Sequence, residues 1–304
     1  MTPLAIYWNV NPEMFHIGSF GLRWYSMGFL IAFVLGYYIL SWIFKREKVR
    51  SEYLDALVVY VFLAVLLGAR LGHCLFYDAD YFFTSEHWTE ILWPFHDGHF
   101  TGFSGLASHG AAIGIFIALW LYWRRYRLNP WWICDRMAIV VALGGVFIRI
   151  GNLFNSEIYG TETDLPWGFI FVRDGQTVPH HPTGLYEALA YLTIALVCLW
   201  FYRRKKGQFK TGTIFGWWLV ALFGARFLIE FVKTNGVIEG FPLLKGQLLS
   251  LPLIVGGLVI VWLAYKGKFA QAAFPQGEVK AVTARWDERI KKEQMKKQKK
   301  SNKQ

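Results

Sequence analysis

The sequence predicts an all-α, polytopic membrane protein with seven transmembrane helices, its N-terminus outside and its C-terminus in the cytoplasm. The 304 residues are 55% hydrophobic and 18% aromatic, with a mean hydropathy of +0.30. A soluble domain is nearer to about 45–50% apolar. The excess comes in blocks of roughly 20 residues, which is the length that a helix needs to cross a hydrocarbon core about 30 Å thick.

Seven blocks of this kind follow one another, and each is predicted to be one span. They cover residues 21–44, 54–76, 105–123, 133–154, 185–202, 211–232 and 247–265. Residues 77–104 contain neither Lys nor Arg and are expected to lie along the outer membrane surface. Residues 269–304 are Lys-rich and are expected to form a solvated or headgroup-bound helix. We therefore predict a membrane catalytic domain over 1–268 and a basic cytoplasmic tail over 269–304.

The distribution of Lys and Arg sets the predicted orientation. Of the 32 basic residues, 25 flank alternate span ends or lie in the tail, and only Arg173, Lys233 and Lys245 fall on the opposite side. Cytoplasmic loops carry the excess of positive charge, so the rich side is cytoplasmic. The net charge of +11 therefore reflects topology, and no nucleic-acid partner is expected.

No metal or nucleotide motif is apparent in the sequence. Cys74, Cys134 and Cys198 lie in separate apolar segments without a CxxC and are interpreted as small buried hydrophobes. His180 and His181 lack partners at ligand spacing, and there is neither a P-loop nor a G-x-S-x-G.

Polar residues within or beside the spans are expected to gather in the outer half of the membrane, where they mark a functional site. These residues are Tyr25, Arg70, His109, Arg149, Asn155, Glu157, Glu187, Arg226 and Glu230. The inner halves of the spans are predicted to be nearly all apolar. Several arginines at one depth suit the phosphate of a phospholipid headgroup, because a guanidinium stays charged and offers a planar fork.

Structural alternatives remain open for two of these features. Arg226 and Glu230 are four residues apart, so they could pair with each other along one helix face. His109, next to Gly110, could be a packed histidine bonded across helices.

The segment from Arg149 to Gly160, RIGNLFNSEIYG, resembles the signature R-x-G-N-[FL]-x-N-x-E-x-x-G of the prolipoprotein diacylglyceryl transferase family. Six further segments resemble the family's motifs in order. They are Trp24-Tyr25, Gly68-Ala-Arg70-Leu-Gly72, Ser108-His109-Gly110, His181-Pro-Thr-Gly-Leu-Tyr-Glu187, Arg226-Phe-Leu-Ile-Glu230-Phe and Gly246-Gln-Leu-Leu-Ser-Leu-Pro252. The likeness covers about residues 7 to 266. The chain departs from the family at Ala111, Ile148 and Gly184, which puts packing and substrate contacts in question more than the reaction.

The resemblance implies a reaction at the outer face of the bacterial cytoplasmic membrane. The diacylglyceryl group of phosphatidylglycerol moves to the thiol of a lipobox cysteine in a prolipoprotein signal peptide. A thioether forms and glycerol 1-phosphate leaves, which is the first step of lipoprotein maturation. The resemblance implies no metal or organic cofactor.

The predicted site residues take roles from this reaction. Arg149 and Arg226 clamp the leaving phosphate, where charge grows in the transition state. His109 is the candidate base for the thiol, and Tyr25 joins these three in the catalytic set. The predicted phosphatidylglycerol-binding residues are Arg70, Arg149, Asn152, Asn155, Glu157, Gly160 and Glu230.

Finer roles are predicted for some of the binding residues. Tyr25 and Asn152 would orient the headgroup, Glu157 and Glu230 would orient the arginines, and Gly160 would permit a turn. Two rival functions are a transporter with an arginine-lined anion path and another lipid-modifying enzyme. Neither explains the ordered set of motifs.

Overall fold

The computed structural model describes residues 5–17, 20–82, 88–93, 95–96, 99–100, 105, 107–233 and 243–301. Most of these residues are helical. The helices are α1 Trp24–Arg46, α2 Ser51–Phe76, α3 Ala79–Phe82, α4 Ser108–Tyr126, α5 Pro130–Phe154, α6 Thr183–Arg204, α7 Thr213–Glu230, α8 Lys245–Tyr265 and α9 Lys280–Ser301. Two 3-10 turns cover Trp88–Ile91 and Val172–Asp174. The predicted external segment falls partly outside the described residues.

Six helices in the described part of the chain are long and apolar enough to cross a membrane: α1, α2, α5, α6, α7 and α8. The chain is thus a polytopic, mainly helical membrane protein. The predicted third span does form a helix, α4, but it is not among the six. Polar residues at both of its ends, His109 at one and Arg124 and Arg125 at the other, lower its mean hydropathy. Seven crossings and the orientation of the termini remain predictions.

The all-α prediction omits three short two-stranded sheets. Strand β1 (Ile6–Trp8) pairs in parallel with β6 (Phe169–Phe171). Strand β2 (Glu13–Ile17) pairs antiparallel with β3 (Phe20–Arg23), and β4 (Phe95–His96) pairs with β5 (His99–Phe100). Strands of two to five residues are too short to show an alternating pattern, and the partners of the β1–β6 ladder are far apart in sequence.

The chain divides into two compact units. Unit 1 comprises Met1–Glu47 and Trp131–Gln271, and unit 2 comprises Lys48–Pro130 and Ala272–Gln304. Unit 1 therefore holds α1 and α6 to α8, with nearly all of α5. Unit 2 holds α2, α3, α4 and α9.

One end of unit 1 contains a buried polar network that we name the closed cluster, made of Glu47, Trp132, Asp135, Arg136 and Tyr202. Arg136 donates to both carboxylate oxygens of Glu47, from Nε at 3.0 Å and from a terminal nitrogen at 2.6 Å. Trp132 Nε1 donates to Glu47 at 2.9 Å, and the Tyr202 hydroxyl donates at 2.8 Å. The expectation of apolar inner span halves is therefore wrong at this end, because charged residues here satisfy one another.

Asp135 in the closed cluster holds the start of α7. Its carboxylate accepts the backbone N–H of Gly212 at 2.7 Å and that of Phe215 at 2.9 Å. The N-terminus of a helix has unpaired N–H groups and a partial positive charge, so a carboxylate there is stabilising. Gly212 adopts a φ of +91°, a conformation that side chains with a Cβ rarely take.

In unit 2, α2 and α4 pack with their backbones in contact. A Cβ on Gly110 would lie 2.1 Å from the carbonyl oxygen of Gly68, and a Cβ on Gly72 would lie 2.6 Å from Cα of Gly110. A Cβ on Gly114 would lie 2.5 Å from the carbonyl oxygen of Ala64. Gly68 and Gly72 on one helix, with Gly110 and Gly114 on the other, form two small-xxx-small pairs. The glycines of two sequence motifs thus serve helix packing.

The basic tail forms the helix α9, which packs against α2 within unit 2. Val282 and Trp286 on α9 are buried, and the Trp286 ring lies 4.7 Å from that of Tyr53 on α2. Elsewhere, Cys74 and Cys198 are buried as interpreted, whereas Cys134 is half-buried.

Candidate active site

The signature segment folds into the end of α5 and the turn that follows it. Asn152 Nδ2 and Asn155 Nδ2 both donate to the Glu157 carboxylate, at 3.2 and 3.0 Å. The backbone N–H of Glu157 donates in return to the carbonyl oxygen of Asn152 at 2.9 Å. Asn152 is buried and Glu157 is exposed. Two amides therefore hold one carboxylate at the helix end, which explains the spacing of these three residues.

Gly160 closes the signature, but not as a turn residue. Its φ is not positive. A Cβ here would lie 2.2 Å from the carbonyl oxygen of Val232 and 2.8 Å from Cβ of His181. The Gly160 N–H donates to the carbonyl oxygen of His181 at 2.8 Å, and Gly160 forms a bridge with Lys233. Glycine is therefore required for close approach between segments, and the predicted turn at this residue is wrong.

The charged residues of unit 1 at this end form a second buried group, which we name the open cluster: Arg149, Glu187, Glu230 and Lys233. Glu187 is fully buried and lies between two cations. Arg149 Nε is 2.7 Å from Glu187 Oε2, and Lys233 Nζ is 2.7 Å from Oε1. Lys233 is also 3.5 Å from Glu230 Oε2. These four residues come from α5, α6 and the end of α7.

The open cluster leaves polar atoms without hydrogen bonds. Glu187 Oε2 and Glu230 Oε2 have no hydrogen-bond partner among the described residues. For Glu187 this means that Arg149 approaches by charge but not along an N–H direction. Both oxygens still lie beside a cation, Glu187 Oε2 at 2.7 Å from Arg149 Nε and Glu230 Oε2 at 3.5 Å from Lys233 Nζ. The open cluster is therefore compensated in charge but less completely hydrogen-bonded than the closed cluster.

Arg226 adds a positive charge to this end of unit 1. No acidic side chain in the described residues lies within ion-pair distance of it, so the alternative of an Arg226–Glu230 pair is not realised. Its charge acts on Tyr191, whose hydroxyl also contacts Arg149. The open cluster itself holds two cations and two anions; Arg226 adds a third cation beside it, and Glu157 at the end of α5 adds a third anion.

Tyr25 at the start of α1 joins the same end of unit 1. A Cβ on Gly151 would lie 2.6 Å from the Tyr25 ring, so this glycine lets α1 and α5 meet closely. Tyr25 interacts electrostatically with Glu157 and with Arg149. It thus links the carboxylate at the helix end with the arginine of the cluster.

The loop between α5 and α6 has a hydrogen-bond network of its own. The Tyr159 hydroxyl donates to Asp174 and accepts from Gln176, whose side-chain oxygen is 3.0 Å from Nε2 of His180. Burial and the adjacent Asp174 raise the pKa of Tyr159. Burial, and then the neighbouring His180, lower the pKa of His181.

Two predicted site residues belong to unit 2 and have other surroundings there. Arg70 is buried and donates from Nε to the carbonyl oxygen of Ile91 at 2.9 Å and from a terminal nitrogen to that of Glu90 at 2.7 Å. Its guanidinium also lies over the Phe82 ring at 4.6 Å. Arg70 therefore fastens the segment that follows α2. His109 is exposed in the first turn of α4.

The comparisons with known proteins now identify the family. The family model for prolipoprotein diacylglyceryl transferase matches residues 12–263. The chain belongs to this family.

Relatives named phosphatidylglycerol–prolipoprotein diacylglyceryl transferase match over most of the chain. The protein from Tolumonas auensis is 40% identical over 268 residues, which is 86% of this chain and 99% of the relative. The protein from Bacteroides fragilis is 38% identical, covering 87% of this chain and 97% of the relative. The one from Porphyromonas gingivalis is 38% identical, covering 88% and 98%.

Within this member of the family, the sequence reasoning assigned the partners of the arginine incorrectly. Glu157 and Glu230 were predicted to orient the arginines, but the carboxylate in contact with Arg149 is that of Glu187. Lys233 was interpreted only as an external loop charge. The available signals were the position of Glu187 in the H-P-T-G-L-Y-E motif and the spacing of Lys233 three residues after Glu230.

Proposed function

We propose that the chain transfers the sn-1,2-diacylglyceryl group of phosphatidylglycerol to the lipobox cysteine of a prolipoprotein signal peptide, releasing glycerol 1-phosphate. The observation that carries the proposal is the open cluster with Arg226 beside it. Together they place two guanidinium groups and a lysine at one end of a helical unit in a chain of the diacylglyceryl transferase family. A phosphate is the part of the lipid that such a group would hold.

The enzyme is proposed to act in the bacterial inner membrane with its site facing the extracytoplasmic side. Seven crossings, including α4, would put the starts of α1 and α6 and the ends of α5 and α7 on that side. The support is the excess of Lys and Arg at the opposite ends of these helices and in the tail.

The proposed chemistry is a displacement at the glycerol carbon that carries the phosphate. The cysteine sulfur forms a bond to this carbon while the carbon–oxygen bond to the phosphate breaks. The leaving phosphate carries the charge gained, so Arg149 and Arg226 would stabilise it more in the transition state than in the bound lipid. Removing a donor of this kind costs about 10²–10³-fold in rate.

The remaining residues of this end of unit 1 are proposed to position the arginine and the lipid. Glu187 fixes the Nε side of Arg149, which leaves the rest of the guanidinium for the phosphate. Tyr25 and Asn152 would contact the glycerol headgroup. Glu157, held by Asn152 and Asn155, would accept a hydrogen bond from a headgroup hydroxyl rather than pair with an arginine.

The sulfur must lose its proton, because the thiolate is the nucleophile. His109 is proposed as the base that takes this proton, on the strength of its motif and because histidine is the side chain that most often acts as a general base. Arg70 is kept as a lipid-binding proposal on its motif alone, since its described contacts are with the external segment.

The experiment supplies the purified protein with phosphatidylglycerol and a lipobox peptide. The expected result is release of glycerol 1-phosphate together with a mass gain of one diacylglyceryl group on the peptide cysteine. A peptide with serine in place of the cysteine and vesicles of phosphatidylethanolamine are the controls, and neither is expected to give product. Phosphatidylglycerol uptake or efflux without transfer would instead favour the transporter alternative.

The role of His109 has a separate test. His109→Gln keeps a polar side chain but removes the base, and we expect transfer to fall by about 10²–10⁴-fold. Loss of one limb of the pH–rate profile in the variant, with the other limb unchanged, would support the role. Near-normal turnover in His109→Gln would show that another group, such as the lipid phosphate itself, takes the proton.

A further inference from the structure

The C-terminal helix α9 lies outside the residues that the family model matches. The family match ends at residue 263, and α9 begins at Lys280. Its function must therefore be inferred from its own contacts. Within unit 2 these contacts show where α9 is anchored, and its exposed surface shows what it could bind.

The first half of α9 is fixed to the start of α2 and the end of α4. The Trp286 ring packs against Tyr53 at 4.7 Å and stacks on Tyr126 at 5.8 Å. Arg50 pairs with Asp287 at 3.0 Å, and its guanidinium lies 5.7 Å from the Trp286 ring. Because α2 is long and apolar enough to span a membrane, this anchor lies at the end of a span and so near the headgroups.

The second half of α9 has no such anchor. From residue 291 onward, every side chain that the structure describes is exposed. The sequence 291–301 holds six lysines and a single glutamate. That glutamate, Glu293, is 3.5 Å from Arg289, and the earlier Glu288 is 2.8 Å from Lys292. The described side chains of Lys291, Lys296 and Lys299 are in no ion pair with the described residues.

We propose that the 291–301 part of α9 binds the anionic phospholipid surface of the membrane in which the protein sits, on the side of the α2 start. The presence of anionic lipid in that membrane follows from the proposed function, on which this inference rests, because the donor phosphatidylglycerol is itself anionic. Lysine clusters beside a span are attracted to such a surface, each residue strengthening contact by about fivefold. Only Met295 and Ile290 are apolar nearby, so the contact is electrostatic rather than an insertion.

The test uses the full chain in nanodiscs and a fluorophore on Met295→Cys, in a background with Cys74, Cys134 and Cys198 replaced by alanine. Met295 is 55% exposed, so the label does not disturb the anchor. Three discs are compared: phosphatidylcholine alone, and phosphatidylcholine with phosphatidylserine or with phosphatidylglycerol. The readout is quenching by neutral acrylamide, which the membrane charge does not repel.

We expect the label to be protected in both anionic discs and quenched in the neutral disc, with protection lost at high salt because the contact is screened. The triple variant Lys291→Gln, Lys296→Gln, Lys299→Gln should weaken surface contact roughly 100-fold and abolish protection. The matched double variant Glu288→Gln, Glu293→Gln should strengthen protection, since it removes the two compensating acids.

Equal quenching in all three discs would overturn the proposal and leave α9 as a solvated helix. Protection of the label in the phosphatidylglycerol disc but not in the phosphatidylserine disc would overturn the proposal that α9 recognises negative charge. A label that stays quenched in anionic discs but gains anisotropy with single-stranded RNA would make the surface a nucleic-acid site, which also overturns it. Quenching needs no turnover, and the phosphatidylserine disc needs no donor lipid. Failure here is therefore distinct from failure of the transferase assay.

Discussion

Unit 1 has a buried ionic cluster at each end, and the two differ in how completely their charges are satisfied. In the closed cluster, Glu47 accepts four hydrogen bonds from Arg136, Trp132 and Tyr202. In the open cluster, Glu187 lies between Arg149 and Lys233 but has one oxygen without a hydrogen bond among the described residues. Similar residue types thus give a fully hydrogen-bonded network at one end of unit 1 and an incompletely hydrogen-bonded network at the other.

The difference separates a structural from a functional use of charge. A fully satisfied buried network fixes the packing of its helices, and breaking it leaves an uncompensated charge. The open cluster has Arg226 beside it, a guanidinium with no acidic partner among the described residues, and such a group can hold an incoming anion. Burial alone would not distinguish the two clusters, because the side chains of both are largely buried at helix ends.

The largest effect on stability is expected at the closed cluster. Arg136→Met removes the bidentate partner of Glu47, and we expect a loss of about 3–5 kcal/mol in the free energy of unfolding. Turnover per folded molecule should stay near the original value. Denaturation in detergent measures the first quantity and the transfer assay the second. Arg125→Met, at an exposed arginine, is the control. Unchanged stability in Arg136→Met would contradict a structural role for the closed cluster and so the contrast with the open cluster.

The largest effect on activity is expected at the open cluster. Arg149→Ala should lower kcat/KM by about 10²–10³-fold, because a transition-state contact with the phosphate is lost. The free energy of unfolding should fall by less than in Arg136→Met, because Lys233 still pairs with the buried Glu187. Arg149→Lys keeps the charge but not the planar fork and should recover only part of the rate. Full activity in Arg149→Ala would rule out the clamp.

A smaller effect on stability is expected from the glycine that supports the closed cluster. Gly212→Ala forces a Cβ into a φ of +91° and within 2.8 Å of the Phe269 ring. We expect a loss of about 1–3 kcal/mol in the free energy of unfolding and unchanged turnover. Gly224→Ala on α7, where a Cβ meets nothing within 4 Å, is the matched control. A drop in kcat without destabilisation would contradict a structural role for this end.

The smallest effect is expected from the glycine beside the open cluster. In Gly246→Ala, the new Cβ would lie 2.2 Å from Glu230 Oε1, so the flexible carboxylate has to move. We expect roughly a tenfold fall in kcat, since small displacements near a reacting group slow the reaction, and a change in stability under about 1 kcal/mol. Gly256→Ala on the same helix, with open space around it, should match the unchanged protein. Equal turnover in both variants would show that Glu230 does not position the site.

Much of the helical architecture could be read from the sequence because its signal is local. Six of the predicted spans coincide with helices of spanning length, with ends that differ by a few residues. The order of the motifs gave the family, which the comparisons confirm. The short strands could not be read, because pairing between Ile6–Trp8 and Phe169–Phe171 depends on distant residues and on too few positions to form a pattern.

The candidate site was predictable in its residue types but not in its contacts. Arg149, Arg226, Tyr25 and Asn152 were named from motifs, and all lie in unit 1. The partner of Arg149 was missed because Glu187 comes from another helix, so no sequence spacing relates the two.

The sequence by itself determined that this chain is a helical membrane protein of the diacylglyceryl transferase family, since hydropathy and motif order are properties of the chain alone. Only the tertiary structure decided which charges meet. It placed Glu187 between Arg149 and Lys233, gave Arg136 to Glu47, and made Gly160 a point of close approach. The physical reason is that a buried charge is defined by the groups within a few ångströms of it, and these come from segments far apart in sequence.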